Sequence, residues 1–222
     1  WLNEGKNGIT EEAPVRIFVM GDDVWREEEE WPLARAQETK YYLHSGGKAN
    51  SKQGDGTLGV ESPQSEAPDV FLYNPADPVP TTGGALCCNP YYAANGAYDQ
   101  NQVEDRQDVL VYSTPPLEQD VEVTGPVTVT LWASTSAPDT DFTAKLVDVC
   151  ENGCARNLTD GIIRARYRDS MSNPTLLKPG KAYCYDIDLW ATSNVFKVGH
   201  RIRLEISSSN FPRFDRNTNT GG

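Results

Sequence analysis

Apolar and polar residues alternate with period two along most of this chain, in short runs that stop at glycine or proline. Runs at 15–20, 40–44, 56–59, 69–73, 109–113, 121–134, 142–149, 161–169, 182–191 and 200–207 predict about ten strands. In 121–134, Val127, Val129 and Leu131 fall on one face and Thr128, Thr130 and Trp132 on the other, so one face is core. In 200–207, Ile202, Leu204 and Ile206 alternate with Arg201, Arg203 and Glu205, and these charges are expected to face solvent. Residues 1–9 read instead as the tail of a helix ending at Gly5 or Gly8. Residues 74–99 carry four prolines, Gly83-Gly84 and Tyr91-Tyr92, which predicts a long irregular excursion of the kind that lines sites. Strands in this number pack as two sheets, a jelly-roll-like β-sandwich, and 222 residues fit one such domain.

Composition narrows the function classes. A net charge of −12 argues against nucleic acid, whose phosphates need clustered Lys and Arg. No run of 18 apolar residues is present, so no membrane-spanning helix is predicted and a soluble chain is expected. The acidic run 27–30 reads as a solvated face rather than a cation site. The chain opens at Trp1 without an initiator Met or signal segment, which reads as a piece of something longer.

Candidate chemistry is sparse. Acyl-transfer hydrolysis needs a nucleophile, a base and an orienting carboxylate, yet Gly-x-Ser-x-Gly does not occur and the only bases are His44 and His200, both in strand contexts. The chain alone is therefore expected to be non-catalytic. Asp139 and Asp141 suit turn capping better than calcium, and no cofactor or metal is expected. Cys150 and Cys154 look like the two ends of a hairpin loop within reach of a disulfide, whereas Cys87 and Cys88 read as small buried hydrophobes rather than a strained bridge. Asn157-Leu-Thr159 fits a glycosylation acceptor. Trp25, Trp31, Tyr91 and Tyr92 fall in loop-like contexts, where rings stack on a ligand or dock a partner domain. A carbohydrate-binding-like module therefore stands as an alternative.

Seven ordered blocks resemble the C-terminal domain of the X-prolyl dipeptidyl peptidase and cocaine esterase (CocE/NonD) family. They are VRIFVMG (15–21), NPADPVPTTGG (74–84), DQNQVEDRQDVLVYSTPPL (99–117), DTDFTAKLVDV (139–149), NLTDGIIRARYRDS (157–170), ATSNVFKVGHRI (191–202) and SSSNFPRFDRNTNTGG (207–222). The resemblance implies a jelly roll similar to galactose-binding folds. It also implies a parent serine hydrolase, cytoplasmic or secreted, whose triad stands on an α/β-hydrolase domain of the same polypeptide. Residues 1–12 then correspond to the end of that domain's last helix and a linker, and 13–222 to the jelly roll without its last C-terminal segment. The parent's substrate would be a small ester or peptide. In cocaine-esterase-like members the loop after the double glycine walls the acyl pocket, which makes Leu86, Cys87 and Cys88 the expected substrate-binding residues. Where aromatic-acyl esterases carry bulky apolar residues, this chain has Cys87 and Cys88, a departure that implies a different acyl preference. An edge strand left uncovered in such a fold can pair with a second copy of the chain.

Overall fold

The computed structural model describes residues 8, 9, 11–87 and 94–221. The expected helix tail and the Cys88, Tyr91 and Tyr92 positions lie outside them, Gly8 and Ile9 apart. Ten strands build the described part: β1 (Val15–Val19), β2 (Val24–Glu28), β3 (Tyr42–His44), β4 (Thr57–Gly59), β5 (Leu110–Ser113), β6 (Val121–Ala133), β7 (Asp141–Val149), β8 (Ala155–Arg164), β9 (Tyr183–Phe196) and β10 (Arg201–Ser207). Six form one sheet in the order β3-β4-β5-β10-β7-β8, with β4 and β5 parallel and the other neighbours antiparallel. The long strands β6 and β9 pair over most of their length and pack their inner face on that sheet. A ribbon of β1 and β2 joins the end of β9 through a bridge from Met20 to Asn194. The result is a jelly-roll β-sandwich.

Period-two alternation explains the core. Val127, Val129 and Leu131 of β6 face Ile187 and Leu189 of β9 and, from the opposite sheet, Phe142, Leu146, Ile202, Leu204 and Ile206. Each fully buried Leu or Ile stabilises by about 1.5–3 kcal/mol. The other face of β6 and β9 stays open, with Trp132 and Trp190 72% and 73% exposed.

Three strand expectations change. Residues 69–73 are extended but carry no ladder: Asp69 accepts hydrogen bonds from Ser45, Tyr112 and the Ala49 amide, and Phe71 packs on the core while Val70 and Leu72 point outward. Alternation reports an extended chain, not a paired one. Strand β8 starts and ends earlier than 161–169, because Asp139 accepts from the Arg166 amide and Thr140 O from the Ala165 amide, folding Ala165–Tyr167 into a 3-10 turn. Strand β2 was hidden by its acidic run. Glu28 is not solvated but buried, ion-paired to Arg26 and Arg35.

The strand β10 charges are also not exposed. Glu205 is 4% exposed, because residues 74–87 and 94–108 form a third layer over the outer face of the six-stranded sheet, with Val79, Val103, Val109 and Val111 as its own small core.

Candidate functional site

The third layer is a loop platform. Its first limb runs beside residues 209–211: the Val79 amide donates to Ser209 Oγ, the Phe211 amide to Val79 O and the Thr81 amide to Phe211 O. Its return limb, Asp99-Gln100-Asn101, is tied to the β7–β8 hairpin by the Gln100 amide on Ala155 O (2.7 Å) and Asn101 Nδ2 on Gly153 O (2.8 Å).

A buried polar chain joins this platform to the sheet. Gln100 Nε2 donates to Thr82 O, Tyr98 O and Asn157 Oδ1, while its Oε1 accepts from Lys145 Nζ at 2.7 Å. Lys145 Nζ also meets Glu205 Oε2 at 3.0 Å, and Arg203 bridges Ser113 Oγ and Glu104 Oε2. Glu104 and Gln100 are wholly buried. Among the described residues, neither Glu104 Oε1 nor Glu205 Oε1 meets an N–H or O–H donor of another group. A proton held between the two carboxyls is the donor that serves both. Burial and the neighbouring Glu205 carboxylate accordingly push the Glu104 carboxyl up to about 7.

The tip of the platform is closed at a glycine neck. Gly84 and Gly96 exchange both backbone hydrogen bonds (2.7 and 3.0 Å), and the Asp160–Arg213 ion pair (2.8 Å) lies beneath. Gly83 has φ +70°, and a Cβ there would sit 2.5 Å from Gly96 O. Gly83→Ala is expected to cost about 1–3 kcal/mol and to expose the loop to limited proteolysis. Gly153→Ala, at φ +84° with nothing within 4 Å of the added carbon, is the control that strains the backbone without touching the neck.

Above the neck stand the sequence-predicted site residues. Leu86 is half-buried, and its amide turns back on Gly84 O. Cys87 is exposed and disulfide-bonded, not a buried hydrophobe. Cys88 lies outside the described residues.

The remaining candidates are placed elsewhere. His44 Nδ1 meets Glu66 at 2.7 Å and Nε2 meets Glu61 O at 3.0 Å; hydrogen bonding to the Glu66 carboxylate raises its pKa. His200 Nδ1 meets Asp148 at 2.8 Å. Among the described residues neither ring bonds a Ser, Thr or Cys side chain. Asp139 and Asp141 are buried against Arg166 and Arg164 and share Asn217 Nδ2. Cys150 and Cys154 are free thiols. Asn157 is 4% exposed and hydrogen-bonded at both ends of its amide, so the folded domain offers no glycan acceptor there. Trp25 sits in β2, not a loop, with Phe18 against its edge and Arg16 over its ring. Sequence reasoning missed the Gln100–Lys145–Glu205 network, since its members pair only through contacts 45 to 60 residues apart.

This platform on a jelly roll has known counterparts. Residues 7–222 match the family described as the X-Pro dipeptidyl-peptidase C-terminal non-catalytic domain. The chain belongs to that family. It is 53% identical over 208 residues to a cocaine esterase of Rhodococcus sp. (strain MB1 Bresler), covering 94% of this chain and 36% of the esterase. The solved aminopeptidase of the marine sediment archaeon Thaumarchaeota archaeon has a TM-score of 0.81 at 32% identity, covering 94% of this chain and 35% of its own. A solved α-amino acid ester hydrolase gives 0.80 at 30%, with the same coverages. The chain spans about a third of the length of each of these family relatives.

Proposed function

We propose that this domain is the non-catalytic partner of an α/β-hydrolase-type catalytic domain in the same polypeptide, and that its glycine-necked loop walls the acyl side of the substrate cleft. The parent cleaves a small ester or X-Pro amide through an acyl-enzyme whose serine, histidine and aspartate stand on the catalytic domain. The observation that carries this reading is the loop: its neck is locked from below by the buried Asp160–Arg213 ion pair and by backbone hydrogen bonds, while Leu86 and Cys87 are presented beyond it. A neck fixed in this way positions Leu86 and Cys87 with little entropy left to lose on binding. Stabilisation of the parent follows from the same docking, since surface buried between domains favours both.

Leu86→Ala in the parent is expected to change the ratio of kcat/KM between a bulky-acyl and an acetyl ester by about 10-fold, with the melting temperature unchanged. An unchanged ratio removes Leu86 from the pocket. A second reading, a carbohydrate-binding-like module, draws on Trp25, which is 63% exposed. Retention on polysaccharide that vanishes in Trp25→Ala would favour it.

A further inference from the structure

The β7–β8 turn carries two thiols that the hydrolase reading leaves unused. Cys150 and Cys154 close a three-residue loop: the Cys150 amide donates to Cys154 O and the Gly153 amide to Cys150 O, both at 2.9 Å, and Gly153 takes φ +84°. Asn152 Oδ1 accepts from the Cys154 amide at 3.0 Å, which fixes the turn. The flanking pair is Val149 and Ala155, so the two cysteines stand directly opposite each other. Opposed residues of an antiparallel pair have Cα atoms about 4.5–5.5 Å apart, inside the span of about 4.4–6.8 Å that a disulfide needs. Their side chains share one face of the hairpin.

The surroundings of the two sulfurs differ. The Arg156 guanidinium hydrogen-bonds the Cys154 sulfur and can stabilise the charge that develops there during attack. Cys150 lies near the Asp148 carboxylate and is partly buried, both of which raise its pKa and keep it a thiol. Both cysteines are partly accessible, and Cys150 opens on a cleft of about 540 Å³ lined also by Lys52, Glu151, Arg201 and Arg203.

We infer that Cys150 and Cys154 form a peroxide-responsive dithiol, with Cys154 as the attacking and Cys150 as the resolving sulfur. The Cys154 thiolate attacks one peroxide oxygen; the S–O bond forms, the O–O bond breaks, and the leaving hydroxide takes a proton to become water. The Cys150 sulfur then attacks the sulfenic sulfur, forming the S–S bond and expelling a second water. Two thiols and one hydrogen peroxide thus yield one disulfide and two waters. Because Gln100 and Asn101 hang on this hairpin end, the bridge clips the anchor of the loop platform. The inference stands on the hairpin alone and holds whether or not the loop walls a hydrolase cleft.

The test treats the intact protein with hydrogen peroxide, blocks free thiols with iodoacetamide and reads tryptic peptide 146–156, which contains both cysteines, by mass spectrometry. The expected product is unalkylated and about 2 Da lighter than the dithiol, and dithiothreitol restores two alkylation sites. Cys150→Ser should leave a dimedone-reactive sulfenic acid on Cys154, and Arg156→Ala should slow bridging about 3–10-fold. The inference is overturned if both cysteines remain alkylatable at peroxide levels that oxidise exposed Cys184, or if either proceeds to sulfinic acid with no bridge formed.

Discussion

Lys145→Met is expected to lower the stability of this domain by about 3–5 kcal/mol. The lysine is 7% exposed and its ammonium is the donor that both Glu205 Oε2 and Gln100 Oε1 receive. Methionine fills nearly the same volume, so packing changes little while a buried carboxylate and a buried carbonyl lose their partner. For a domain of this size the loss reads as a fall in melting temperature of about 6–20 °C. A second substitution, Glu205→Leu, should recover much of it, because an apolar pair replaces a broken ionic one. A loss below about 1 kcal/mol would mean that water reaches this layer.

Glu104→Gln is expected to flatten the pH dependence of stability between about pH 4.5 and 7. The folded carboxyl titrates near 7 against an ordinary value of 4.5, so across this window the folded state keeps a proton that the unfolded chain has released. Stability then falls as pH rises, by on the order of 3 kcal/mol in all. A carboxamide at this position can donate to Glu205 Oε1 and accept from Arg203, keeping both contacts without titrating. Urea denaturation of the wild type and the variant at pH 5 and pH 8 gives the difference directly. Subtracting the two profiles removes the contribution of His44, whose raised pKa gives a slope of the same sign. Parallel profiles would exclude the shared proton.

How much of this was legible depended on where each residue's partners lie. The alternation in β6 needed only its own sequence, and Val127, Val129 and Leu131 face inward as that pattern predicts. Strand β10 has equally clear alternation, yet its charges were misplaced, because Glu104 meets Arg203 across 99 positions. A pattern of period two separates the faces of a strand but not a solvated face from one covered by a third layer. The excursion itself was readable from its prolines and Gly83-Gly84; the neck formed by Gly84 and Gly96 was not, since it depends on closure between residues in an irregular loop. Strand β2 had a usable cue in Gly21-Asp22-Asp23, a turn between the apolar run of β1 and Val24-Trp25, that its glutamates concealed. For the candidate site, the resemblance in blocks such as NPADPVPTTGG carried more than periodicity did. Chemistry resides in side chains grafted on a fold that serves many functions.

The most direct measurement is ester hydrolysis by the parent enzyme after residues 85–95 are replaced with two residues joining Gly84 to Gly96, a span that suits a hairpin because the two glycines already pair. A cleft-completing, non-catalytic domain predicts a fall in kcat/KM of about 10-fold or more at unchanged melting temperature, with no turnover by the isolated chain. Full activity of the shortened parent, or serine-reagent-sensitive turnover by the isolated chain, would contradict it.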